Sequence, residues 1–237
     1  MLTGLARLRP RRPLATRAEA SELLDGGELE QADVEQNLAD LARMNRLPGG
    51  TGASVRGVRH LVGTQRQVRI LDVGTGRADV PLAFARHGWR SVALDVNPQV
   101  RDVARQLTAR QALVQVVEGN ARSLPFEDGA FDVAHSSLLL HHLAPAEAVD
   151  ALREMARVAR AGIVVNDLRR GIWPLYATVA SSAILGRSRV TLHDGLASAR
   201  RAYTLDELDE LLRATGLRAR WRSPVWLPRV VTAATPT

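Results

Sequence analysis

Apolar residues along this chain follow two alternating rhythms. Nearly continuous runs at 68–73, 91–95, 113–117, 131–137 and 163–168 have the length and β-branched content of strands buried on both faces. Between them apolar positions return every three or four residues, as on one side of a helix: residues 80–86, the stretch after Asn97, and Val149, Leu152, Ala156 and Ala159 following Pro145. Punctuation fits this reading. Pro81 is tolerated only in a first helical turn, and Gly88 is placed to stop that helix. Asn97 and Pro98 read as an N-cap and first helical position, and Thr204 with Glu207 as a capping box before Leu205, Leu208, Leu211 and Leu212. Runs at 217–222 and 226–231 read as a closing antiparallel edge hairpin. Five β-α repeats and a hairpin predict an α/β fold: a doubly wound, seven-stranded, mostly parallel sheet with its ligand at the carboxyl edge of the strands.

The flanking segments break this rhythm and divide the chain. Residues 1–20, with Pro10, Pro13 and paired arginines, are expected to be a flexible leader. Residues 21–65 are expected to form an N-terminal helical lid, two helices parted at Gly26-Gly27 and ended by the segment from Pro48 to Gly52. Residues 66–170 are the core and 204–237 complete it. Between them lies 171–203, apolar at Ile172, Trp173, Leu175, Tyr176, Val179, Ile184 and Leu185, then polar around His193. An insertion of this length reads as a helical cap over the substrate, with a homodimer contact as the alternative.

Composition removes several classes. There is no cysteine, which excludes disulfides and thiolate metal sites. The net charge of +7 comes from 32 basic residues, all of them arginine. They are scattered and aromatics are few, so GC-rich coding explains the balance better than a nucleic-acid surface. No apolar run reaches the roughly 18 residues of a membrane span. A cytoplasmic protein with no nucleic-acid or membrane partner is expected. Met1 to Arg17, Arg-rich and free of acids, has the composition of a transit peptide but reads better as a plain leader.

The chemistry centres on Asp72-Val73-Gly74-Thr75-Gly76-Arg77-Ala78-Asp79, where the first strand turns into a helix. Glycine belongs where a chain turns sharply or where a ligand meets bare backbone, and the helix behind it offers free N–H groups. The dinucleotide fingerprint G-x-G-x-x-G needs glycine at position 79, where Asp79 stands, which opposes a nicotinamide dehydrogenase. A carboxylate suits a cationic sulfonium better than a pyrophosphate.

The D-x-G-x-G-x-A pattern resembles motif I of the class I S-adenosylmethionine-dependent methyltransferases, with Ala78 where the usual form has glycine. Four later signals extend the resemblance over about 66–170 and 203–231. Asp95 ends the second strand 19 residues beyond Gly76, where an acid takes up ribose hydroxyls. Asn120-Ala121 and then Leu124-Pro125-Phe126 resemble the family's G-D-A…L-P-F stretch, Asn120 replacing the acid that meets the adenine amino group. Phe131-Asp132 through Leu140-His141-His142-Leu143 resembles the small-molecule and quinone-type members, and Ala161-Gly162 stands for the family's P-G-G turn. The resemblance implies a Rossmann-like fold and S-adenosyl-L-methionine as cofactor, held by Asp72, Gly74, Thr75, Gly76, Asp95, Val96, Asn120, Ala121 and Ser136.

The acceptor implied is a small aromatic or polyketide-like molecule, methylated on a phenolic or enolic hydroxyl in secondary metabolism. C-methylation of a quinone precursor, a non-catalytic cofactor-binding partner and a nucleic-acid methyltransferase are the alternatives; an N-P-P-Y-type tetrad is absent after strand four, where Ser136-Ser137-Leu138-Leu139 stands. A phenol with a pKa near 10 gains from a neighbouring base. Of six histidines, His142 and His193 are the candidate bases, with Asp167 beside them at the end of strand five. His141, Trp173 and Tyr176 are the candidate substrate contacts. His135, inside strand four, reads as packed core. Asn166-Asp167 lacks a second carboxylate partner, so no metal is expected.

Overall fold

A computed structural model describes residues 14, 16–18 and 29–237. The expected leader, those four residues aside, and the first expected helix with its Gly26-Gly27 break lie outside the described residues. Seven strands form one sheet: β1 (Arg69–Val73), β2 (Arg90–Asp95), β3 (Val114–Glu118), β4 (Phe131–Ser137), β5 (Ala159–Leu168), β6 (Leu217–Arg222) and β7 (Arg229–Pro236). Their order is β3-β2-β1-β4-β5-β7-β6. The first five are parallel, and β7 runs antiparallel to both of its neighbours. The doubly wound α/β sheet with a C-terminal antiparallel hairpin is as the sequence predicts.

Strand alternation divides the core into two layers. Ile70, Val133, Val164 and Val231 face α2 (Thr51–Val62) and α3 (Asp79–Ala85) with Val58, Val80 and Phe84. Leu71, Val73, Ala134, Ile163 and Val165 face α5 (Pro145–Val158) and α8 (Leu205–Ala214) with Leu152, Met155, Leu208 and Leu212. Each side chain completely buried here, such as Leu152 or Met155, contributes about 1.5–3 kcal/mol. Helix α4 (Pro98–Thr108) covers the β2–β3 end through Ala104. Its Asn97 cap is formed: the side chain accepts from the Gln99 and Val100 amides. The capping box of α8 is formed as well.

Three segments differ from expectation. Thr51-Gly52, expected to end a helix, begin α2, which packs on the sheet rather than over the site. Gly57 permits that approach, since a Cβ there would come 2.9 Å from Val164 Cγ1. The last strand starts at Arg229 rather than Trp226, because Pro224 and Pro228 bracket a turn that no ladder can use. Strand β5 begins at Ala159, four residues early, and Gly162 (φ 133°) takes up the register shift against β4. The insertion 171–203 is a helical hairpin, α6 (Ile172–Leu185) and α7 (Arg189–Arg201). With α1 (Gln31–Met44) it stands over the carboxyl edge of the sheet. Among the described residues no helix is long and apolar enough to cross a membrane.

Candidate active site

The turn after β1 is built for close approach. Gly74 (φ 68°) and Gly76 (φ 56°) adopt left-handed backbone, and so does Ala78 (φ 62°), buried at the start of α3. Asp72 is enclosed: Thr75 Oγ1 donates to it at 2.6 Å, and His135 Nδ1 bonds its other oxygen. His135 is in turn held by Ser54 Oγ at 2.8 Å. The histidine read as packed core is buried, and it also anchors the motif carboxylate. Only the pairing of β1 with β4, which sets Asp72 level with His135, reveals that partnership.

Asp95 is placed differently. Its oxygens accept N–H bonds from Gly76 (3.2 Å) and Asn97 (3.0 Å), and burial raises its pKa despite these bonds. Asp79 accepts from Asn45 Nδ2 at 2.9 Å, and burial, with Asp72 nearby, raises its pKa too. Asp72, Asp79 and Asp95 together line one cleft of about 340 Å³, with Gly74, Thr75, Gly76, Val96, Gly119, Ala121 and Leu139. Of the residues expected to hold a cofactor, two stand apart. Asn120 is exposed and turns its side-chain oxygen to the Arg122 amide, while its neighbours Gly119 and Ala121 line the wall. Ser136 is buried off the cleft, and the next residue of the strand, Ser137, faces it instead. Three carboxylates against a single arginine, Arg77, make this wall hospitable to a sulfonium cation and hostile to a pyrophosphate. These residues fit S-adenosylmethionine, with Asp95 oxygens for its hydroxyls and bare glycine backbone beside it.

A second, narrower cleft of about 100 Å³ lies between α1, α6, α7 and the start of β7. Leu41, Met44, Leu47, Pro48, Leu138 and Leu168 give it an apolar lining, and His141, Thr178, Ser182, Thr191, Asp194 and Arg229 supply polar groups. Leu41, Leu138 and His142 line both clefts, so the two meet there. His142 is half-buried, and its ring packs 4.3 Å from that of His141. Asp167 bonds His141 rather than His142: Nδ1 of the ring lies 2.5 Å from its carboxylate, and the His141 amide donates to it at 3.2 Å. Burial pushes Asp167 up, but His141 and the Leu168 amide outweigh it and hold the carboxyl below its usual range.

The remaining predicted contacts fall outside. His193 is exposed, bonds Asp194, and lines neither cleft. Trp173 and Tyr176 are 62% and 67% exposed on the outer side of α6. Among the described residues no cluster of three or more metal-ligating side chains occurs. Sequence reading overlooked Arg229, Asn45 and the cleft-lining role of Asp79. One arginine among 32 carries no signal of its own.

With this geometry, the resemblance takes a definite form. Residues 71–165 match the model of a methyltransferase domain family. The malonyl-[acyl-carrier protein] O-methyltransferase of Serratia marcescens is 33% identical over 116 residues, 49% of this chain and 40% of that protein. The demethylmenaquinone methyltransferase of Staphylococcus epidermidis is 29% identical over 131 residues, 52% of this chain and 54% of that one. The chain thus spans about half the length, or less, of these curated relatives. Over a larger extent the fold is similar to that of a SAM-dependent methyltransferase from Aquifex aeolicus, at a TM-score of 0.64 and 18% identity, covering 87% of this chain and 98% of that one.

Proposed function

We propose that this protein transfers a methyl group from S-adenosylmethionine to a hydroxyl oxygen of a small, mostly apolar, aromatic or polyketide-like acceptor. The observation that carries this reading is the junction of the two clefts at Leu138 and His142. One cleft has the carboxylates and glycines for the donor, and the other is too narrow for a duplex or a folded protein. Bound in the first, S-adenosylmethionine supplies an electrophilic methyl group. The chain's own part is alignment and proton handling. Leu41 and Leu138 form apolar walls that hold an acceptor ring toward the junction and exclude water, which fixes the approach of its oxygen. His142, at that junction, takes the hydroxyl proton ahead of methyl transfer. His141, oriented by Asp167, packs against it.

The relative acting on demethylmenaquinone favours a second reading, methylation at a ring carbon of a quinone-type acceptor. One experiment addresses both: incubation of the purified protein with S-adenosylmethionine, phenols and a hydroquinone, with products assigned by NMR. The expected product is a methyl ether. Replacing His142 by Ala should lower kcat by about 10²–10⁴-fold, the scale of general base catalysis. Carbon-methylated product only overturns the oxygen-transfer reading, and full activity in the variant overturns the role of His142 as base.

A further inference from the structure

Arg229, the first residue of β7, is buried (7% exposed) on the wall of the acceptor cleft. Its Nε donates to Asn166 Oδ1 at 3.1 Å, one terminal nitrogen donates to Asn45 Oδ1, and the other donates to Ser137 Oγ at 2.9 Å. All three acceptors are neutral. Among the described residues, no carboxylate pairs with the guanidinium within ion-pair distance. A guanidinium carries five N–H donors, so one on each terminal nitrogen is left over. Asp167 and Asp79 act on it only through their fields, and burial pulls its pKa down to about 10. Asp194, the acid on the same wall, is already bonded by His193.

Burying a cation without an ion-pair partner is costly, and a chain built for stability alone would place an apolar residue there. The cost is recovered when an anion arrives. The position of the head group says where. Asn45 and Ser137, which hold its two terminal nitrogens, both line the donor cleft. The guanidinium therefore lies on the side of the acceptor cleft that borders the donor cleft, beside the place where the reacting atom of an acceptor must sit.

We infer that Arg229 binds the reacting oxygen of the acceptor as an anion, so that the substrate class is acidic: a phenolate or enolate rather than an alcohol. This inference rests on the methyl-transfer reading above and names the substrate class of that site. The proton balance is simple. The acceptor hydroxyl gives its proton to His142, the oxygen keeps the electron pair, and Arg229 holds the charge until the oxygen–carbon bond forms as the sulfur–methyl bond breaks, the neutral thioether leaving with that bond's electron pair. Arginine can do this because it stays charged throughout and offers a forked pair of donors.

Equilibrium binding tests the inference without any turnover. Para-nitrophenol, whose phenolate has its own absorption band, is titrated into the protein across its ionisation, with nitrobenzene as the neutral isostere and para-nitrobenzoate as a second anion. Wild-type protein should bind the phenolate about tenfold or more tightly than nitrobenzene, the scale of a hydrogen bond to a charged group. The ionisation of bound nitrophenol should move down accordingly. Arg229→Gln should bring the two affinities together, and Arg229→Lys should keep most of the preference. A wild-type protein with no preference overturns the inference, and so does a folded Arg229→Gln that retains it. Tighter binding of para-nitrobenzoate than of the phenolate would place a carboxylate, not the reacting oxygen, at Arg229 and overturn the assignment. If Arg229→Gln does not fold, the wild-type comparison decides alone. Anion preference without methyl transfer would leave the inference standing and remove the activity, whereas methylation of neutral alcohols without anion preference would do the reverse.

Discussion

Asp72 and Asp95 leave the carboxyl ends of adjacent strands, yet their surroundings give them different work. Asp72 is occupied by Thr75 and His135 and holds the turn in shape. Asp95 accepts backbone N–H bonds, from Gly76 and Asn97 among others, and keeps lone pairs toward the cleft. Asp95→Ala should therefore weaken S-adenosylmethionine binding by about 1.5–3 kcal/mol, the worth of hydrogen bonds to a charged acceptor, as read by calorimetry. Because burial raises the Asp95 pKa, cofactor affinity should begin to fall, as pH drops, above the value of about 3.9 usual for an aspartate. Its contribution to stability has the opposite sign: the folded state takes up this proton more readily than the unfolded chain, so that contribution grows as pH falls through the range. Asp95→Asn should flatten both dependences. Asp95 was legible because strand end, acid and following cap coincide in four residues. Asn120 and Ser136 were misplaced by rules finer than spacing. An asparagine two residues before an amide folds back on its own turn, and one step along a strand reverses the face.

Asp40 shows how α1 and the insertion form one unit. Its buried carboxylate accepts from the Arg187 and Ser188 amides at 2.7 and 2.9 Å and from Thr191 Oγ1 at 2.7 Å, at the start of α7. Arg43 pairs with the same carboxylate from within α1. Asp40→Ala strands those buried donors, at a cost of about 1–3 kcal/mol. Urea unfolding should show that loss, and KM for the acceptor should rise while cofactor affinity holds. The pairing of α1 with the insertion cannot be read from spacing, since an aspartate in α1 looks like any solvated acid. Nor could the faces of α6 be assigned. With apolar residues nearly all round it has no stripe to follow, and Trp173 and Tyr176 turned outward while Thr178 and Ser182 line the cleft. Helix α2 was hidden for another reason: the Pro-Gly-rich segment that ends one helix also starts the next.

At the scale of the whole molecule, the donor side belongs to the parallel strands and the acceptor side to what is added to them. The repeat of strand and helix makes the first side legible from sequence. The second depends on long-range meetings among α1, the helical hairpin and β7, which no local pattern encodes. Binding should couple to the fold as a unit. S-adenosylmethionine at a hundredfold its dissociation constant should add about 2.7 kcal/mol to stability and raise Tm by about 5–10 °C in a chain of this size. NAD at the same concentration should leave the melting curve, followed by scanning fluorimetry, unmoved.

The place of β7 has a consequence for biosynthesis. In chain order it is the last strand of the sheet, yet it enters between β5 and β6 rather than at a rim. While the ribosome has not yet released residues 229–236, β5 presents an open row of backbone groups along Ile163, Val164 and Val165, among the most apolar residues of the chain. A nascent or prematurely ended chain would carry a nearly finished donor cleft beside an adhesive edge, and would lack the guanidinium of the acceptor cleft. Translation thus delivers the cover for that edge and the acceptor's cation in the same eight residues, so a chain sticky enough to aggregate is also one that cannot yet seat its acceptor.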